Sequence, residues 1–388
     1  MDRRRFLRLG AALTAGTPLA LKFGAHNLRG EDVIQSVYPA LRANARVAIA
    51  RCTSYGAAVR PALAGCLDQL GGIGSLVKSQ TVTVKLNLTG TDFTKFLARP
   101  VGETFMTHYD TALALGALLF ANGAKRVRFV ESTQSRDKLQ GTLVSAGWDV
   151  KVLEALGNVG FESTRNLGSG KRYAHRKVPF GGYMFSALDF NQAYEDTDVM
   201  VSLAKMKNHL TAGVTLSMKN LFGFTPNSLY GAKAGDEDAT AGRDPIHSPR
   251  GFEKIRLPGL KDGITSVESV WRVPRTTVDV CAARPIHLAI IDGITAMNGG
   301  EGPWCRNAAT IKFTSPGVLI AGLNPVSTDA VGTAVMGYDN PRELKGGKPF
   351  VYCDNHLLLA EQAGLGIAEL AKIDVRGEAI EKVRYPYG

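Results

Sequence analysis

DTDVMVSLAKMKNHLTAGVTLSMKNLFG, residues 196–223, is the stretch on which the fold turns. The run from Val199 to Leu203 is almost wholly apolar, with no polar alternation, so it predicts a strand covered on both faces. Such strands belong to parallel sheets packed between layers of helices. Lys205, Lys207 and His209 follow at alternate positions and share one face if the chain stays extended. Thr211 is placed to cap a helix over 212–223, which Gly223 would end. The free amides of a helix N-terminus beside two lysines would make an anion site. Lys219 and Asn220 fall in the last turn of that helix and are expected to face elsewhere or to reach a neighbouring loop.

The same alternation of short β-branched runs and helical stretches extends in both directions and predicts an α/β fold with a mostly parallel or mixed sheet. Strands are expected at 46–51, 81–88, 126–132, 149–154, 286–294 and 317–324, with a short edge strand at 373–377. Helices are expected at 57–72, 107–124, 135–147, 264–273, 325–337 and 356–370, several of them stopped by glycine. The glycine-rich segment 156–190 reads as an excursion with a hairpin or two. Residues 225–262, polar and broken by Pro226, Pro245 and Pro249, read as a long binding loop or lid. No linker divides residues 26–388, which are read as a single large domain of up to two lobes.

Residues 1–25 have another character. Arg3, Arg4, Phe6, Leu7 and Arg8 precede the apolar stretch AALTAGTPLAL, as in a twin-arginine export signal. The small-residue pattern of a cleavage site is missing, which leaves room for retention as an N-terminal anchor. This segment predicts passage through the twin-arginine export machinery to the periplasm or cell envelope, with folding completed beforehand. It carries a net +4 of the chain's formal +11, leaving about +7 for the remainder. That excess favours anionic small molecules, anionic lipid headgroups or nucleic acid. Zinc-finger spacing and aromatic-interleaved basic stripes are both missing, which argues against nucleic acid. The five cysteines include no C-x-x-C, so a self-contained iron–sulfur cluster is not expected, while one disulfide is allowed.

Ligands of open α/β sheets sit beyond the carboxyl ends of the strands, and polar groups stand at the predicted ends. Lys85 and Asn87 close one strand, Glu131 the next, and Lys205, Lys207 and His209 a third. Asp292 ends a fourth, with Glu301 in the turn beyond it, and Asn324, Ser327 and Asp329 follow a fifth. Gathered in one cleft, Lys85, Asn87, Lys205, Lys207, Lys219 and Asn220 would bind substrate. His209, Glu131, Asp292 and Glu301 would carry protons. Carboxylates beside asparagines suit a hard divalent cation, and histidine would admit a transition metal. The candidates for such a site are Asp292, Asp329 and His247 from the long loop.

These blocks resemble the family of domain of unknown function 362 over residues 80–376. VTVKLNLTG is similar to its strand with a K-x-N end, and ALLFANGAKRVRFVEST to its next unit. The K-x-K-x-H block with its K-N-x-x-G end, DGITAMNGGEGP and NPVSTDAVG complete the likeness. The resemblance implies an α/β fold and little settled chemistry. Many relatives add a C-x-x-C-rich cluster segment that this chain lacks, which puts a redox role in doubt. The expected function is therefore that of an exported enzyme acting on a small carboxylate or phosphate by acid–base chemistry, with or without a metal. The alternatives are a non-catalytic anion or cofactor binder and an accessory subunit of an envelope redox complex.

Overall fold

A computed structural model describes residues 45–387 apart from 94, 241, 249–255 and 306–310. The twin-arginine-type segment at 1–25 lies outside the described residues. Twelve strands carry the fold: β1 (Arg46–Arg51), β2 (Thr81–Lys85), β3 (Arg126–Glu131), β4 (Val159–Ser163), β5 (Tyr173–Lys177) and β6 (Ala187–Asn191). β7 (Val199–His209), β8 (Gly213–Thr215), β9 (Leu288–Asn298), β10 (Lys312–Thr314), β11 (Val318–Gly322) and β12 (Asp374–Gly377) follow. The main sheet has the order β12-β1-β11-β9-β7-β2-β3-β4, with β8 and β10 as short ribbons on β7 and β9. β9, β7, β2, β3 and β4 are mutually parallel, and only β11 among the eight runs against its neighbours. The α/β architecture expected from the sequence is the one observed.

Helices cover both faces. α1 (Val59–Gln69), α2 (Tyr109–Ala121), α3 (Leu139–Ser145) and α4 (Val150–Glu154) lie on one side. There Leu63, Leu115 and Leu143 pack on Val82, Val84, Val201 and Leu203. The short α5 (Ser217–Asn220) and α6 (Asp244–His247), with α7 (Ser269–Ala283), α8 (Pro325–Val335) and α9 (His356–Gln362), belong to the other side. Their core joins Met218, Val273, Val331 and Leu357 to Met200, Met206 and Ile291. Neighbouring residues of β7 thus alternate between two apolar cores, and ten of its eleven residues are buried.

Five expectations need correction. The helix expected at 264–273 is α7, which starts at Ser269 and runs to Ala283, ten residues beyond the predicted stop. Residues 150–154 form a helix because the Asp149 side chain caps it, accepting from Val152 N at 3.2 Å. β4 takes the sheet edge in its place, and only β5 and β6 of the 156–190 excursion pair as a separate antiparallel ribbon. The helix over 212–223 is not formed. The chain turns back and pairs as β8, Lys207 opposite Thr215 and His209 opposite Gly213. Gly213 allows this turn with φ +76°, and a Cβ there would meet Phe350 at 2.5 Å. What remains helical is α5 and one 3-10 turn, Leu221–Phe224, so the helix N-terminus expected at residue 212 is not there. Finally, α9 ends at Gln362, eight residues short of the predicted stop.

Candidate functional site

β11 is antiparallel to β9, with Gly322 opposite Ala289, so its carboxyl end lies at the other edge of the sheet from Lys205 and Asp292. Asn324, Ser327 and Asp329 therefore leave the expected cleft. Asn324 caps α8, accepting from Ser327 N at 3.0 Å. Asp329 fixes the start of α5, accepting from Ser217 N and Met218 N at 2.8 Å each. Burial pushes its carboxyl up to about 7 against the three hydrogen bonds it accepts.

Lys85 and Glu131 are drawn together by the parallel pairing of β2 with β3. Lys85 Nζ lies 2.5 Å from Glu131 Oε1 and also donates to the Leu86 carbonyl at 2.7 Å. The second Glu131 oxygen accepts from Leu88 N at 2.6 Å. Asn220, expected to face elsewhere, completes the cluster. Its amide donates to the Lys85 carbonyl at 3.2 Å and its oxygen accepts from Asn87 Nδ2 at 3.1 Å. Burial lowers the Lys85 pKa, opposed by Glu131.

Lys205 and Asp292 are register partners on β7 and β9, and three residues after Ser202 the strand presents Lys205 to the opposite face from Lys85. Their charged atoms are 3.4 Å apart at zero exposure. Tyr55 bridges them, accepting from Lys205 at 2.6 Å and donating to Asp292 at 3.0 Å. Lys205 also donates to the Gly102 carbonyl, and Thr111 donates to Asp292 at 3.0 Å. Every donor of Lys205 thus has an acceptor. Burial lowers its pKa, and burial with the Asp292 charge raises the Tyr55 hydroxyl well above its ordinary range. His108 caps α2 through Asp110 N at 3.1 Å and stacks on Tyr55 at 3.5 Å between ring centres.

A third group gathers where β7 runs past the end of β2, and it is built differently. Lys207 Nζ donates to the Phe105 carbonyl at 2.6 Å, its only hydrogen bond among the described residues. Lys219 makes none among them; its ammonium lies over the Phe222 ring at 4.2 Å. Glu301 accepts from Leu210 N at 3.1 Å, and its charge is the largest effect opposing burial at both lysines. Burial brings Lys207 and Lys219 each down to about 7 despite Glu301. His209 packs edge to face with His247, ring centres 5.4 Å apart. His356 is fully buried and neither ring nitrogen has a partner in hydrogen-bonding geometry, although the nearby Ala212 backbone favours its protonated form. Burial first and Lys219 second push His247 and His356 down to about 3 and His209 well below the usual range. All three rings are therefore neutral near pH 7. His209 Nδ1 accepts from Thr211 N at 3.1 Å, which puts its proton on Nε2. Arg243 borders the group from the long loop. It donates to the Thr225 carbonyl at 2.5 Å, to the Gly223 carbonyl at 3.0 Å and to the Ser132 hydroxyl. Lys219 and His209 are each 7% exposed and Glu301 9%, so solvent reaches the group.

The expected single cleft is thus three clusters. Two hold satisfied ion pairs on opposite faces of the sheet, and the third holds Lys207, His209, Lys219, His247 and Glu301 beyond its edge. The three metal candidates do not converge: Asp292 serves Lys205, Asp329 serves α5 and His247 packs on His209. Among the described residues no three His, Cys, Asp or Glu side chains form a metal-holding set. All five cysteines are buried free thiols. Sequence reasoning missed Tyr55, Arg243 and His356. Tyr55 was within reach, because β1 is parallel to β9 and Tyr55 follows its carboxyl end. Arg243 stands in the same loop as His247. His356, at the first position of an apolar helix, carries no signal in the sequence.

A family model described as Domain of unknown function (DUF362) matches residues 82–334, and the chain belongs to that family. The chain is 29% identical over 186 residues to the Thylakoid-associated protein sll1697 of Synechocystis sp., covering 47% of this chain. It spans about half (51%) of the length of that curated relative. A crystal structure of a Thermotoga maritima protein aligns with 64% of this chain and 54% of its own, at 12% identity and a TM-score of 0.32. A likeness at that level carries no argument. No helix among the described residues is long and apolar enough to cross a membrane.

Proposed function

We propose that this member of the DUF362 family is an enzyme acting on a small anionic substrate by proton transfer, with its site at Lys207, His209, Lys219 and Glu301. One observation carries the reading: Lys207 and Lys219 are buried, charged when protonated, and without a paired carboxylate among the described residues. A buried cation without a counter-charge is costly, and a bound anion supplies what the fold leaves out. The saturated pairs Lys85–Glu131 and Lys205–Asp292 are then walls, holding β2, β3, β7 and β9 in register under the site.

The hydrogen bonds divide the roles. His209, with Nδ1 engaged by Thr211, offers Nε2–H to a developing negative charge and has no lone pair free to take a proton. Glu301 is the carboxylate within the group and serves as the proton acceptor. Lys207 and Lys219, with pKa values of about 7, can each hold the anion or return a proton at neutral pH. Export by the twin-arginine route and an envelope location belong to the same proposal. They are supported by the RRRFLR segment and by the thylakoid association in the name of the Synechocystis relative.

A thermal-shift screen of small carboxylates and phosphates tests the reading. At least one anion is expected to raise the melting temperature saturably, and Lys219→Met is expected to abolish that shift. A screen in which no anion shifts the wild-type chain removes the enzyme reading and the binder alternative together.

A further inference from the structure

Resting on that reading, we infer that the anion is a compact dianion of the phosphate type and that His356 donates a hydrogen bond to it. The first observation is charge. Lys85, Arg243, Lys207 and Lys219 surround the site with Glu131 and Glu301, so the protonated site carries two uncompensated positive charges. A ligand of charge −2 neutralises it.

The second is concentration of that charge. Lys219 is the shared electrostatic neighbour of His209, His247, His356 and Glu301, with Lys207 and Arg243 also acting on it. A dicarboxylate of extended length would need two separated basic poles, whereas one focus suits a tetrahedral oxyanion. The third is unspent hydrogen-bonding capacity. An ammonium has three N–H donors. Lys207 spends one on Phe105, and Lys219 spends none among the described residues. His356 is at zero exposure, neither ring nitrogen has a partner in hydrogen-bonding geometry among the described residues, and the Ala212 backbone alone bears on its N–H. A buried donor left unmade destabilises the folded chain, and a phosphate oxygen satisfies it. His356 lies beyond the stretch 82–334 matched by the family model, on α9, so this contact belongs to the chain's C-terminal part.

Titration calorimetry of the full chain with inorganic phosphate, succinate and acetate, at pH 8 in two buffers of different ionisation enthalpy, tests the inference. Phosphate is expected to bind tightest and to take up protons, because the dianion favours the charged forms of Lys207 and Lys219. His356→Leu, which has no donor, is expected to weaken phosphate about tenfold, the worth of one hydrogen bond to a charged group. If succinate or acetate binds more tightly than phosphate, the dianion inference is overturned while the small-anion reading stands. If none binds and the thermal-shift screen is blank, both fall. An unchanged phosphate affinity in a folded His356→Leu chain removes His356 from the site. Should that variant not fold, the imidazole 15N resonances of the wild-type chain serve instead. A shift of the His356 signals on adding phosphate supports the contact, and their constancy overturns it.

Discussion

Lys205 and Lys207 are two residues apart on one strand, point to one face and are both buried, yet their surroundings are opposites. Lys205 has Asp292 beside it, Tyr55 and Gly102 as acceptors, and nothing left to give. Lys207 has a single carbonyl. The difference comes from β9, whose register with β7 slips between these two positions, so that Met297 and not an acid stands opposite Lys207. Paired buried charge is architecture, and unpaired buried charge is capacity to bind.

The largest effect should come from breaking a satisfied pair. Asp292→Asn leaves the Lys205 ammonium buried without a counter-charge, and urea unfolding should register a loss of about 3–5 kcal/mol. Adding Lys205→Met to that chain should recover most of it. A loss below about 1 kcal/mol in the single variant would break the contrast. Lys219→Met should behave in the opposite way, changing ligand-free stability by less than about 1 kcal/mol or raising it, while anion binding disappears. A destabilisation as large as that of Asp292→Asn would mean that Lys219 is held by a partner after all.

pH sharpens the same contrast. Lys207 and Lys219 hold their protons to about 7 in the folded chain and to about 10.5 when unfolded. Between those values the unfolded chain binds more protons, so stability rises with pH, by up to about 1.4 kcal/mol per pH unit for each group. The ligand-free melting temperature should therefore climb from pH 7 to 9. Above that, Cys66 and Cys353, pushed up to about 12, act in the other direction. The double variant Lys207→Met/Lys219→Met should lose most of the climb; an unaltered slope would assign it elsewhere. A more local effect is expected at Asn355, whose side chain caps α9 through Leu357 N at 2.9 Å. Asn355→Ala should cost about 1–2 kcal/mol by thermal melting. A weaker hold on phosphate in that variant would tie the placement of His356 to the cap.

The layered α/β architecture was legible because fully covered strands such as Val199–Leu203 and Leu288–Ile291 are almost wholly apolar runs. Strand direction was not. β11 is as apolar as β9, and burial on both faces imposes the same residues whether a strand runs with its neighbour or against it. That reversal removed Asp329 from the site. The helical reading of 212–223 failed where Gly213 and the β-branched pair Val214–Thr215 favoured a return strand. Lys207 and His209 drew notice because they prolong a covered strand, and Glu301 because it follows the carboxyl end of β9. Their separation from Lys85 and Lys205 depends on which face each residue takes, and His356 depends on a tertiary contact that spacing does not encode.

β7 has eleven residues where its neighbour β2 has five. Its outer half is a cantilever, gripped along one side by the β8 return and along the other by β9. Side chains on such an arm can gain or lose protons and ligands while their backbone stays still. The amides of Lys205–His209 should accordingly exchange with solvent as slowly as those of the sheet's centre, whether the site is empty or full.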